Sequence, residues 1–180
     1  AVLTPESPSQ AQAHPVPTAA GPLGVASEGT GRPVVLLHGL PGSIRDFRWL
    51  VPALPDGVRA LRVDLPGFGS SPAGSAAGPR IEDHAAAIAA LLRALDLQDA
   101  VLVGHSFGGV LAVATALAVP DRVAGLAMLA TPGRTMHRGL RQFRPMMVLR
   151  PALERSLGRR ALMPVVRKAF HAGGFPRRTP

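Results

Sequence analysis

The longest apolar stretch of the chain, residues 101–119, is interrupted near its start by a polar, glycine-rich turn. The stretch is about long enough to cross a membrane, but His105, Ser106 and four glycine or threonine residues break its apolar character. An apolar run, a turn of small residues and a second apolar run are typical of a buried strand followed at once by a buried helix. The sequence therefore predicts a strand, a sharp turn and a helix here, and no transmembrane segment.

Further short apolar runs surround this stretch at regular intervals. Runs without polar alternation predict strands that are buried on both faces, and they occupy residues 34–37, 58–63, 100–103 and 123–130. Helical spacing of apolar residues occurs in the intervals 45–54 and 81–95, and a weak hairpin is expected where residues 16–20 and 23–28 flank Gly21 and Pro22. Alternating strands and helices predict an α/β fold, with a mostly parallel sheet and helices on both faces.

Composition and charge divide the chain into three segments. Residues 1–15 are mainly Pro, Ser, Gln and Ala and predict a flexible tail, and residues 16–133 carry the strand and helix pattern of the core. Residues 134–180 hold 12 of the 20 Lys and Arg against Glu154 as their single acid, so the formal net charge of +9 arises there. With 47% hydrophobic and 17% charged residues the chain is not intrinsically disordered, and without Cys it has no disulfide or thiolate metal site.

The chemistry-bearing motif is Gly104-His105-Ser106-Phe107-Gly108, a G-x-S-x-G sequence between the predicted strand and helix. A Ser in so tight a turn is expected to adopt a strained backbone conformation that projects its hydroxyl above the sheet. The helix that follows directs its first NH groups at the same place, where a negatively charged oxygen would be stabilised. Ser106 is therefore the candidate nucleophile, the alternative being a Ser that only caps the helix.

A second loop, His38-Gly39-Leu40-Pro41-Gly42, also follows a predicted strand. Acyl transfer requires a backbone NH donor from a separate loop beside the nucleophile. Pro41 has no NH, so the expected oxyanion donors are the NH groups of Leu40 and Phe107, with Gly42 as the less favoured choice. His38, Gly39 and His105 are candidate binding residues, although a packing role is favoured for the His38 side chain.

Three motifs together resemble the α/β-hydrolase fold superfamily. They are HGLPGS at residues 38–43, DLPGFGSS at 64–71 and GHSFGG at 104–109, and the resemblance extends over about residues 16–135. It implies that the middle motif shapes a loop beside the pocket through Asp64, Gly67, Gly69 and Ser71, without a catalytic role. It also implies that residues 134–180 begin a helical cap.

Within this superfamily, the residue at the nucleophile position indicates the reaction. Epoxide hydrolases and dehalogenases resemble this chain elsewhere but carry Asp where it has Ser106, because they form an alkyl ester on a carboxylate. The resemblance therefore implies a Ser-nucleophile branch, similar to esterases and lipases, that acts without cofactor or metal on carboxylic esters or related acyl compounds. Cofactor-free perhydrolases and haloperoxidases share the Ser motif and remain an alternative.

A complete catalytic triad cannot be assembled from this sequence. After Ser106 the acids are Asp121 and Glu154 and the histidines are His137 and His171, and none of them occupies the place that the superfamily uses. We therefore expect a C-terminally truncated member with little activity of its own.

The expected partner is a small acyl substrate. Nucleic acid is not expected, because residues 139–170, where apolar residues alternate with Arg, contain two Phe as stacking aromatics and no recognition motif. An alternative is a non-catalytic product whose basic segment contacts an anionic partner or, weakly, a membrane surface. No signal peptide is visible in the sequence, which predicts a cytoplasmic location.

Overall fold

The computed structural model describes residues 7–73 and 80–131, which contain a six-stranded sheet with flanking helices. The strands are β1 His14–Val16, β2 Leu23–Glu28, β3 Arg32–Leu37, β4 Val58–Val63, β5 Ala100–His105 and β6 Val123–Leu129, and the α-helices are α1 Ile81–Ala94 and α2 Phe107–Ala118. Three short 3₁₀ helices complete the described part: Ile44–Phe47, Val51–Ala53 and Pro120–Arg122.

The strand order across the sheet is β1-β2-β4-β3-β5-β6. Strands β3 to β6 pair in parallel, and the antiparallel pairs β1–β2 and β2–β4 form the other side of the sheet. The mostly parallel sheet is therefore confirmed. A hairpin is present as predicted, but its first strand is His14–Val16 and not residues 16–20, which lie mostly in the turn. Since β3 and β5 are parallel neighbours with Leu37 opposite Gly104, the loops that follow both strands emerge side by side.

Both faces of the sheet carry a hydrophobic core. On one face α1 and α2 pack against strand residues such as Val35, Leu61 and Leu102, all fully buried. On the other face the predicted helix 45–54 is instead two 3₁₀ helices, which bury Phe47 against Val34 and Leu36 and place Leu50, Val51 and Leu54 beside them. An α-helix cannot run through this stretch because Pro52 has no NH and its ring clashes with the preceding turn.

The predicted tail contacts the sheet before β1 begins. The Ser9 NH donates to the Arg48 carbonyl at 2.7 Å, and the Ala11 carbonyl accepts from Arg62 at 3.2 Å. Strand β1 starts at His14, so the predicted boundary between residues 15 and 16 falls inside it. The predicted cap segment 134–180 lies outside the described residues.

Strand β6 is more exposed than its sequence predicted. A fully apolar run is typical of a strand covered on both faces, yet Leu126, Met128 and Leu129 are 42%, 56% and 43% exposed. The reason is position, since within the described residues β6 pairs with β5 along one edge alone. As the interrupted stretch 101–119 predicted, none of the described helices is both long and apolar enough to span a membrane.

Candidate active site

Ser106 occupies the turn that joins β5 to α2. Its backbone has φ 52° and ψ −115°, a region that L residues rarely adopt, so the predicted strain at this residue is confirmed. The strand ends one residue before it, at His105, and the helix begins one residue after it, at Phe107. The Ser106 NH donates to the Leu129 carbonyl at 2.9 Å, which ties the turn to the end of β6.

The second motif glycine lets this turn approach the central strand β3. A Cβ on Gly108 would lie 2.6 Å from the Leu37 carbonyl carbon and 2.7 Å from the His38 carbonyl oxygen, and closer still to the Leu37 oxygen. These are backbone atoms of a buried strand end, which cannot move aside. Helix α2 therefore begins in direct contact with β3, and the Ser106 turn lies beside the loop that follows that strand.

The His38–Gly42 loop abuts the nucleophile turn. A Cβ placed on Gly39 would come within 3.1 Å of the Ser106 Cβ and 3.0 Å of His105 Nδ1, so a larger residue would crowd both. The structure thus brings together three residues that the sequence singled out: Gly39, His105 and Ser106. His105 is exposed, Ser106 is half-buried, and both remain accessible to a ligand.

The two expected oxyanion donors have no backbone acceptor within the described part of the chain. The Phe107 NH belongs to the first turn of α2, where NH groups lack an intrahelical partner, and neither it nor the Leu40 NH donates to another described backbone group. Both groups therefore stay available to a ligand, and their convergence on one oxygen stays a prediction.

His38 has the packing role that the sequence favoured for it. The side chain is fully buried, its Nε2 accepts from the Leu65 NH at 3.0 Å, and its Nδ1 lies 2.8 Å from the Gly39 carbonyl. An Nε2 that accepts carries no hydrogen, so the ring is assigned as the Nδ1–H tautomer donating to Gly39. Burial favours the structural role, and a contact between His38 and a substrate stays a prediction.

Asp64 organises the middle motif. The carboxylate is 2% exposed and accepts from the Ile44 NH at 2.9 Å and the Ser70 NH at 2.7 Å. It therefore ties the end of the His38–Gly42 loop to the loop after β4, in agreement with the structural role that the resemblance implies. The remaining motif residues support the same turn: Ser71 donates to the Asp64 carbonyl, and Gly67 and Gly69 have φ of 80° and 52°.

Asp46 is a site neighbour that the sequence analysis missed. Although part of its side chain is exposed, removal from water raises the pKa of the Asp46 carboxyl, while the Ser43 backbone and the nearby charges of His105 and Arg48 lower it. A carboxyl group therefore lies near His105 at the rim of the site. The signal for it was the spacing Ser43-x-x-Asp46 at the start of a short helix, which is the pattern of a capping box.

His84 was also missed, and it supports the nucleophile turn from behind. Its ring lies on α1 and packs edge to face against Phe107, with centroids 5.8 Å apart at 88°. The side chain is buried, its Nδ1 has no hydrogen-bond partner among the described residues, and burial lowers the pKa of the His84 imidazole. The available signal was its position on the buried stripe of α1, three residues after Ile81 and four before Ile88.

The described residues do not complete a triad. Asp121 lies in the 3₁₀ helix before β6, at the opposite end of the strands from Ser106. The other candidates, Glu154, His137 and His171, lie outside the described residues. Across residues 7–73 and 80–131 there is also no group of three His, Cys, Asp or Glu side chains that could hold a metal ion.

Comparison with known proteins places this geometry among characterised folds. A family model for the alpha/beta hydrolase fold matches residues 32–157. Bifunctional epoxide hydrolase 2 of Sus scrofa is 40% identical over 110 residues, which are 58% of this chain and 19% of that protein. An epoxide hydrolase from an endophytic Streptomyces superposes with a TM-score of 0.63 at 31% identity, over 69% of this chain and 39% of its own.

A second solved structure, E-2-(acetamidomethylene)succinate hydrolase, superposes with a TM-score of 0.68 at 27% identity, over 75% of this chain and 50% of its own. The chain thus spans half or less of the length of these relatives. The family match covers most of the chain, and it includes the loop after β3, the loop after β4 and the Ser106 turn. On this evidence the chain belongs to the α/β-hydrolase fold family.

Proposed function

We propose that this chain carries the nucleophile of a serine hydrolase that cleaves carboxylic esters or related acyl compounds. The observation that supports the proposal is the strained turn at Ser106, which joins a central parallel strand to a helix and leaves the Ser half-buried beside the Gly39 loop. Backbone strain at a non-glycine residue persists where function requires the geometry. A Ser that only capped α2 would use its side chain on the helix, and no such cap hydrogen bond is present at Ser106.

The identity of the residue favours acyl transfer over the chemistry of the epoxide hydrolase relatives. Opening an epoxide or displacing a halide through an enzyme-bound alkyl ester needs a carboxylate, and this chain has a hydroxyl at Ser106. A Ser oxygen instead attacks a carbonyl carbon, and the resulting tetrahedral oxyanion accepts hydrogen bonds from two backbone NH groups. The NH groups of Leu40 and Phe107 are the proposed donors. Collapse of the intermediate expels the alcohol, and water then releases the acid.

The proton acceptor for Ser106 has to come from outside the described residues. His14 lies on β1 at the far edge of the sheet, and His38 is buried with both ring nitrogens in hydrogen bonds. His84 packs behind Phe107, and the His105 ring lies against the Gly39 loop. The histidines outside the described residues, His137 and His171, do not match the position of the superfamily's base in the sequence. Without that base, a well-formed site that retains oxyanion donors still accelerates hydrolysis by about 10³ to 10⁴ over water. We therefore expect slow ester cleavage by this chain, without rapid turnover.

Hydrolysis of p-nitrophenyl acetate by the chain and by Ser106→Ala tests the proposal. The expected result is slow release of p-nitrophenol that the oxyanion donors sustain in both proteins, acceleration by added imidazole beyond its effect on Ser106→Ala, and an acetyl group on Ser106 in the mass spectrum. An aromatic epoxide and a chloroalkane are tested separately as substrates of the alternative chemistry, and both should remain intact. Equal imidazole-assisted rates for both proteins, with no acetyl group on Ser106, would contradict acyl-enzyme chemistry. Binding to anionic vesicles in that case would favour the basic-segment alternative.

A further inference from the structure

We propose that Arg62 is a positioning residue for the oxyanion loop, which we define as residues 38–44. The catalytic meaning of this proposal rests on the proposed function, whereas its structural part does not. Arg62 lies on β4 and is 1% exposed, so its guanidinium is among the largest fully buried groups of the protein. Its Nη1 donates to the Ile44 carbonyl at 3.2 Å, at the point where the oxyanion loop ends.

The second terminal nitrogen of Arg62 joins that loop to two further parts of the chain. Nη2 pairs with the Glu28 carboxylate on β2 at 2.6 Å, donates to Ser9 Oγ at 2.6 Å, and donates to the Ala11 carbonyl at 3.2 Å. The Ser9 hydroxyl in turn donates to Glu28 at 2.6 Å. One guanidinium therefore connects the N-terminal segment, strand β2 and the end of the oxyanion loop.

The oxyanion loop is held at both ends by residues at the end of β4 and just beyond it. At its start, His38 accepts from the Leu65 NH at 3.0 Å. At its end, the Ile44 NH donates to Asp64 at 2.9 Å and the Ile44 carbonyl accepts from Arg62. Between these anchors the loop folds tightly on itself, since a Cβ on Gly42 would lie 2.6 Å from the Gly39 carbonyl oxygen and 2.8 Å from His38 Nδ1. A displacement of Ile44 is therefore passed to residues 39–42, which carry the proposed Leu40 donor.

Stability alone does not account for a buried Arg at this place. A buried ion pair is often no more stabilising than apolar residues of similar volume, because both charges lose their hydration. The Arg62 Nε is buried and has no partner among the described residues, so the side chain is oriented for its two terminal nitrogens. The planar fork of Arg reaches separate acceptors in fixed directions, which the single ammonium group of Lys cannot do. We infer that the main role of the Arg62 side chain is to hold the Ile44 carbonyl in place.

Hydrogen exchange of the purified chain, read residue by residue by NMR, tests the proposal with Arg62→Met and Arg62→Lys. Loss of one hydrogen bond from a charged donor to Ile44 should accelerate exchange of the Ile44 amide about ten-fold in Arg62→Met. Exchange of the Val35 amide in the middle of β3 should stay unchanged. In Arg62→Lys the exchange rate of the Ile44 amide should lie between the rates of Arg62→Met and wild type. Arg59→Met is the matched control, because Arg59 lies on the same strand and donates to Ser27 Oγ, away from the loop.

Equal acceleration of amide exchange at Ile44 and Val35 would overturn the proposal, since it would show a general loss of stability. Unchanged exchange at Ile44 would overturn it as well. If Arg62→Met does not fold, Arg62→Lys and Glu28→Gln test the same proposal. In each, exchange should accelerate at the Ile44 amide and stay unchanged at the Val35 amide. The acylation rate of Ser106 by p-nitrophenyl acetate should fall with the loosening of Ile44. Selective exchange at Ile44 in a chain whose Ser106 is never acylated would retain the positioning role and refute the proposed function.

Discussion

Replacing Gly108 by Ala should push helix α2 away from strand β3. The new methyl group would overlap the Leu37 carbonyl and lie 2.7 Å from the His38 carbonyl oxygen, where backbone cannot yield. Overpacking of this severity costs about 3 kcal/mol, and Ala recovers about 1 kcal/mol through its higher helix propensity. The free energy of unfolding should therefore fall by about 2 kcal/mol, which lowers the melting temperature by roughly 4 to 8 °C in a domain of this size.

Urea denaturation followed by circular dichroism measures this change, and Gly125→Ala is the matched control. A Cβ on Gly125 would meet only Val101 Cγ2, at an ordinary contact distance of 3.8 Å, and its strand backbone does not require glycine. That variant should be neutral or more stable by about 0.5 kcal/mol. If Gly108→Ala unfolds within about 0.5 kcal/mol of wild type, a spread typical of surface substitutions, the close approach of α2 to β3 is refuted.

Two further substitutions test the nucleophile turn and the loop beside it. Ser106→Gly should abolish acylation by p-nitrophenyl acetate and its acceleration by imidazole. It should also raise the free energy of unfolding by about 1 kcal/mol, because glycine tolerates φ 52°, and a less stable variant would contradict the strain at Ser106. Asp64→Asn should lower it by about 2 kcal/mol, since the amide group would face the Ile44 or Ser70 NH donor, and urea midpoints equal to wild type would exclude this role.

Because burial lowers the pKa of His84, the unfolded chain takes up a proton at higher pH than the folded chain. Stability should therefore decrease as the pH falls below the ordinary histidine pKa of about 6.5, and His84→Phe should reduce that decrease. If the urea midpoints of wild type and His84→Phe shift equally between pH 7 and pH 5, His84 is not the cause of the pH dependence.

Much of the fold could be predicted because its signals are local. The run 58–63 is strand β4 at its predicted bounds, and the stripe 81–95 is helix α1 to within one residue. Apolar spacing alone wrongly predicted an α-helix after β3, although Pro52, which lacks an NH and whose ring breaks such a helix, was a local signal against it. The docking of Ser9 could not be predicted either, because its partners Arg62 and Glu28 are distant in sequence.

The sequence by itself determined the turn at Ser106. A strand, glycines at both flanks and an apolar helix leave the chain one way to connect, and the strain at the Ser follows from that local geometry. Tertiary structure alone decided which of the surrounding groups reach the turn. The parallel pairing of β3 with β5 brings Gly39 against His105 and Ser106, and the end of β4 assigns His38 and Arg62 to holding the loop. Such contacts join residues that lie far apart in the chain, so their roles are set by strand order and burial, which no local pattern encodes.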